Sequence, residues 1–223
     1  METTVHQQLK RMYADGVENT EVVLGAYRID AIRDDELIEI QFSSLSAISR
    51  KSQDLLQRHK LRVVKPIVAR TRIAKIKRKG APISSRRMSP KRGNVLELFE
   101  DLIYFTKVFP HPNLTLEVPM ICVEQVRGPA TKKRRRRRGK DYKVYDVSLE
   151  SVQETHLFTE PSDLLDLIPW GSQPVSFDTA DIATAIDRPR WFAQQVAYVL
   201  RKVGAIESLE RKRTGIIYQA KAA

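Results

Sequence analysis

The stretch Glu21–Phe42, EVVLGAYRIDAIRDDELIEIQF, decides how the chain is read. β-Branched residues and Tyr27 dominate Glu21–Arg33, which predicts one strand with a bulge at Gly25. Asp34-Asp35 predicts a turn and Leu37–Phe42 a second strand. A symmetric hairpin centred between the two aspartates pairs residues whose numbers sum to 69, so Asp30 stands opposite Glu39 and Arg28 opposite Gln41. Side chains two apart on a strand share a face. Asp30 and Glu39 would then sit with their Cβ atoms roughly 5 Å apart. Like charges so placed need compensation. A divalent cation with hard oxygen ligands supplies it; so would Arg28 and Arg33 on a solvated surface hairpin.

Working outward, Thr4–Tyr13 reads as a short helix and Ser43-Ser44 as an N-cap. Leu45, Ile48, Ser52, Leu55, Leu56 and His59 then recur at helical spacing. Leu61–Arg70 reads as one buried strand, and Ile73–Ile83 as a basic hairpin turning at Lys79-Gly80. Ser89-Pro90-Lys91-Arg92-Gly93 precedes an amphipathic helix with Val95, Leu98, Phe99, Leu102 and Ile103 on one face. Leu114–Arg127 is a further strand, paired with Val144–Val147 across an arginine-rich loop.

Asp30, eight intervening residues and then Glu39-Ile40-Gln41 resembles the catalytic hairpin of the PD-(D/E)XK nuclease superfamily. The usual motif ends in lysine; Gln41 is a departure with precedent among type II restriction enzymes. The resemblance implies a restriction-endonuclease-like α/β fold, with a mixed sheet and flanking helices. It also implies Mg²⁺- or Mn²⁺-dependent phosphodiester hydrolysis, the metal polarising the phosphoryl oxygen and activating water. Asp30 and Glu39 would hold the metal, with Glu21 as an accessory acid if the first strand bends at Gly25. Gln41 would orient the water, and Lys51 or Lys65 would stand in for the missing lysine. The whole chain also resembles an uncharacterised bacterial family with a nuclease-like domain, the Ser-Pro-Lys-Arg-Gly segment and a C-terminal winged helix.

Charge points the same way. The 223 residues carry 39 Lys plus Arg against 27 Asp plus Glu, a net charge of +12, and a field of that sign favours polyanions. The excess is clustered: Leu55–Val95 contains no Asp or Glu, and Lys132–Arg138 is an unbroken cationic run. Arg86, Arg87, Ser89, Lys91 and Arg92 flank a predicted helix start and form a candidate phosphate clamp. Arg134, Arg135 and Arg136 are candidates to track a phosphate backbone or enter a narrow minor groove. The single cysteine, Cys122, leaves neither an intramolecular disulfide nor a cysteine zinc site. No P-loop or dinucleotide fingerprint occurs. The polar start METTVHQQLK and the lack of a long apolar run predict a cytoplasmic, nucleoid-associated protein with no membrane partner.

Residues 175–223 read as helix, tight turn, helix and two-stranded wing, a pattern similar to a winged helix-turn-helix. Arg190, Gln194, Gln195 and Arg201 lie on the second helix, and Arg211, Lys212 and Arg213 at the wing tip. Arginine can read guanine and glutamine adenine. The expected organisation is a nuclease-like domain over 1–158, a linker with a short helix over 159–174, and the winged helix over 175–223. The expected function is a DNA-binding, Mg²⁺-dependent endonuclease in defence, restriction or repair, and a homodimer would suit double-strand cleavage. The alternatives are a non-catalytic DNA-binding regulator on a degenerate nuclease fold, and an RNA-binding protein.

Overall fold

The computed structural model describes residues 3–130, 142–172, 174–213 and 215–221. The chain is α/β, with a mixed sheet of eight strands, flanking helices and a separate two-stranded hairpin. It divides into two compact units that alternate along the sequence. The first comprises Met1–Ile40, Pro66–Asn94 and Val118–Thr155; the second comprises Gln41–Lys65, Val95–Glu117 and His156–Ala223. Among the described residues no helix is long and apolar enough to cross a membrane.

In the first unit, helix α1 (Thr4–Tyr13) buries Val5, Leu9 and Tyr13, one face at four-residue spacing, together with Lys10. It packs on β2 (Tyr27–Arg33) and β3 (Glu36–Ile40). The single strand expected over Glu21–Arg33 is instead two. β1 (Thr20–Leu24) reverses at Gly25-Ala26 and pairs antiparallel with β2. Gly25 has φ +57°, a left-handed backbone that glycine adopts without a Cβ penalty, so it makes a turn rather than a bulge. The reversal sets Thr20 against Ala31 and Val22 against Ile29, which brings Glu21 beside Asp30. The β2–β3 turn places Asp34 and Asp35 at φ 48° and 63°, where aspartate is among the better-tolerated residues. Its register, Ala31 to Ile38, Ile32 to Leu37 and Arg33 to Glu36, is the symmetric one expected.

The basic hairpin is longer than the sequence suggests. β5 (Ile67–Ile76) pairs antiparallel with β6 (Ile83–Met88), so Arg86 and Arg87 lie on a strand rather than before a helix. All six residues of β6 are exposed. β5 also pairs parallel with Met120–Arg127 of β7 (Leu114–Pro129), and their register shifts between Val68 and Arg70. The extra residue, Ala69, offers its carbonyl to the Gly93 N–H at 3.2 Å. β8 (Tyr142–Phe158) pairs with β7. It also ties α1 down: Thr4 Oγ1 donates to Asp146, and Gln8 Oε1 accepts from Leu149 N.

In the second unit, Ser44 Oγ accepts from Ser46 N at the start of a 3-10 turn, Leu45–Ile48, which leads into α2 (Ser49–Leu55). β4 (Lys60–Val64) pairs parallel with Leu114–Glu117. The strand expected over Leu61–Arg70 is interrupted because Pro66 has no N–H to give to a ladder. The amphipathic helix is a 3-10 turn, Val95–Glu97, followed by only five residues of α3 (Leu98–Leu102). Its apolar face continues into a turn that buries Phe105, Val108 and Phe109. After α4 (Pro161–Leu165), Asp178 and Asp181 form a capping box at the start of α5 (Thr179–Ile186). Asp187 turns the chain at φ 49°, and α6 (Arg190–Val203) ends at Gly204, φ 90°. Strands β9 (Ile206–Lys212) and β10 (Gly215–Ala220) close the chain as a hairpin. α6 packs against α3, α4, α5 and β9, burying Phe192, Val196, Val199, Leu200 and Val203.

Gly93 is a tight backbone joint in the first unit. A Cβ there would lie 2.4 Å from the Val68 carbonyl oxygen, a backbone atom with little room to move. Gly93→Ala is expected to cost about 2 kcal/mol, the range for overpacking a well-filled site, and to lower the melting temperature by several degrees, read by thermal unfolding.

Candidate functional site

Asp30 sits in a cluster built by α1, β1 and β2. His6 and Lys10 are four residues apart on α1 and so share the face that meets β2. Lys10 Nζ lies 2.9 Å from Asp30 Oδ1 and also contacts Glu21 Oε1. Its side chain is only 8% exposed, so the ammonium has left water for these carboxylates. Asp30 Oδ2 accepts from the Ile40 N–H at 2.9 Å, and His6 Nε2 stands 3.5 Å away. Arg28 Nε reaches Glu21 Oε2 at 3.0 Å. Glu39 is buried in β3 at 5% exposure. Glu21 holds φ 56°, a costly conformation for a non-glycine residue, beside its two cations.

Burial raises the pKa of Asp30, but hydrogen bonds from His6 and the Ile40 N–H, with the Lys10 ammonium, outweigh it and lower the value to about 2. Asp30 is therefore ionised across the physiological range. The positive charge that satisfies it is Lys10 rather than Arg28 or Arg33. Among the described residues no three His, Cys, Asp or Glu side chains stand grouped to hold one, and both oxygens of Asp30 already have partners.

The remaining candidates belong to the second unit. Gln41 donates its backbone N–H to Val64 O, and its side-chain amide to Ser43 Oγ and Ser44 O, each at 2.9 Å. Lys65 is buried, with Nζ 3.2 Å from Phe42 O, 2.7 Å from Ser43 O and 2.7 Å from Asp101 Oδ2. Three acceptors meet the three protons of the ammonium. Lys65 thus pins the 42–45 turn, whose Leu45 N–H is also received by Asp101. Lys51 lies half-buried on α2.

The basic residues fall into two groups by partner. Arg86 pairs with Glu124 at 2.8 Å, and Arg72 with Glu150 at 2.8 Å. Arg87, Lys91 and Arg92 are exposed, and among the described residues no carboxylate pairs with them. Ser89 N is taken by Thr71 O, Ser89 Oγ accepts from Lys91 N, and the Gly93 N–H is committed to Ala69. The N–H groups of Ser89, Lys91 and Gly93 are thus engaged within the chain, and the segment presents the side chains of Lys91 and Arg92 to solvent. On α6, Arg190, Gln194 and Arg201 are exposed and Gln195 is half-buried. Arg211, Lys212 and Arg213 are exposed at the β9–β10 tip, with Lys212 paired to Glu210. Arg134, Arg135 and Arg136 lie outside the described residues.

A family model described as "Domain of unknown function (DUF8091)" matches residues 3–159, more than half of the chain. The chain belongs to this family. The matched DUF8091 region contains the Asp30 cluster, the β5–β6 hairpin and the Lys65 site, and it ends before α4. No curated protein and no solved structure matches.

The cluster residues that sequence reasoning misses, His6 and Lys10, carry one signal: two nitrogen-bearing side chains four apart beside an apolar helix face. The lowered Asp30 pKa has a measurable consequence. Stability from Asp30 is complete above its ordinary value near 3.8 and is lost as pH falls to about 2. Over that window the wild-type protein is expected to lose about 2 kcal/mol more than Asp30→Asn, read as the difference in urea midpoints at pH 5 and pH 2.

Proposed function

We propose that this chain is a DNA-binding protein that engages the phosphate backbone through the β5–β6 hairpin and the segment after it. The observation that carries this reading is the edge strand β6, exposed at all six residues, on a hairpin within a 41-residue stretch without one acidic residue. Cations on such a hairpin displace condensed counterions from the duplex, which drives binding.

The second unit supports the same reading independently. α6 has no acidic residue and exposes Trp191, Gln194, Tyr198, Arg201 and Lys202. It precedes a hairpin with a basic tip, the order of elements in a winged helix-turn-helix. In that reading α6 enters the major groove and the tip touches the backbone.

A second reading, metal-dependent phosphodiester hydrolysis on a restriction-endonuclease-like fold, draws support from the β2–β3 register that aligns Asp30 with Glu39. Supercoiled plasmid incubated with Mg²⁺, with Mn²⁺ and with EDTA separates the two. Ion-dependent nicking that Asp30→Ala abolishes would establish hydrolysis. Intact plasmid with binding retained would leave binding alone.

The binding reading is tested by titrating a labelled duplex against salt. Replacing Arg87, Lys91 and Arg92 together by alanine is expected to reduce the slope of log K on log salt by roughly 2 to 3, about 0.9 for each phosphate that is no longer neutralised. An unchanged slope would remove this segment from the interface.

A further inference from the structure

The turn-side half of the β5–β6 hairpin holds a cavity of about 390 Å³ whose chemistry differs from that of the exposed β6 edge. Ile73 and Ile76, both buried, form apolar walls. Arg127 and Tyr142 form one side, the guanidinium carbon 4.1 Å from the ring centroid. Gln125 Oε1 accepts from Arg127 Nε at 2.6 Å and holds the guanidinium plane in place. Lys75 and Arg87, both exposed, complete the lining. Among the described residues no acidic side chain lines the cavity. The main chain at Gly128 forms part of the lining so closely against Tyr145 that a Cβ there would lie 2.7 Å from its ring.

From this we infer that the cavity receives a single unstacked nucleobase, with the adjoining phosphate on Lys75 and Arg87. The inference rests on the binding reading above and names the feature that the same surface recognises: an unpaired base within or at the end of a duplex. Three features select that ligand. The volume lies in the range of small-molecule sites, roughly 300–1,000 Å³. Apolar walls and a guanidinium–phenol pair suit a flat aromatic group, since bases stack on arginine and aromatic planes. The lining cations, with no acid among the described lining residues, favour an anion beside it. Ile73, Lys75 and Ile76 stand on β5 and Arg87 on β6, so a strand tracking the hairpin passes the mouth.

The test uses three fluorescent duplexes of one sequence: fully paired, with one bulged adenine, and with an abasic sugar in place of that adenine. Phosphate and sugar are then equal in the last two. The bulged adenine is expected to bind about tenfold tighter than the abasic bulge, the size of one base-stacking contact. Tyr142→Leu and Arg127→Gln, each checked for an unchanged melting temperature, should bring the adenine duplex down to the affinity of the abasic one. Equal binding of adenine and abasic bulges, with the paired duplex still bound in a salt-sensitive manner, would overturn the pocket and leave the binding reading standing. A preference that survives both variants would equally overturn it. Failure of all three duplexes to bind would remove both. Adenosine monophosphate separates the sources. Micromolar binding of the free nucleotide, abolished in Tyr142→Leu and indifferent to the duplex, would assign the cavity to a free nucleotide and overturn the unpaired base as its occupant.

Discussion

A buried ammonium among carboxylates fixes how the first unit is assembled. Lys10 reaches from α1 to Asp30 on β2 and Glu21 on β1, and each carboxylate also meets a second donor. Removing one partner from a buried pair typically costs about 3–5 kcal/mol, because the other charge stays behind without water. Apolar packing of Val5, Leu9 and Tyr13 tolerates small slides of a helix. An ammonium held between two carboxylates does not, so the ion cluster sets the register in which α1 lies on β2.

The second unit uses the same device with different partners. Lys65 is also buried, but two of its three acceptors are backbone carbonyls, and the third is Asp101 just ahead of the buried Leu102 of α3. There the lysine ties a turn to a helix. In both units the acids and bases whose spacing suggests catalysis are engaged in holding elements together. Elsewhere, Arg87, Lys91 and Arg92 are exposed and, among the described residues, have no carboxylate partner.

Much of the local structure is legible in the sequence. The β2–β3 register follows from the Asp34-Asp35 turn, and the Thr4–Tyr13 helix and the helix, turn, helix and hairpin order after residue 175 are read directly from periodicity. The departures share a cause. A run of β-branched residues does not say whether Gly25 bends a strand or reverses it; that depends on Tyr27–Arg33 finding Thr20–Leu24 as a partner. The break at Pro66 is written in the sequence, but the apolar run on both sides masks it. The partners of Asp30 are not legible, because His6 and Lys10 meet it only once α1 has docked. Gln41 and Lys65 stand out as unusual residues for their positions, and what makes them so is a turn they satisfy.

β6 lies at one end of the sheet's strand order, and its six residues are exposed. An edge strand presents unused backbone donors and acceptors, and two copies of such an edge can pair with each other. Arg87 sets a cationic side chain on that edge, so two copies approaching strand to strand bring like charges together. A polyanion lying across the hairpin would cancel that repulsion. On the proposed binding reading, self-association and ligand occupancy are therefore coupled at this edge: the charge that would recruit a phosphate backbone is also the one that keeps bare molecules apart.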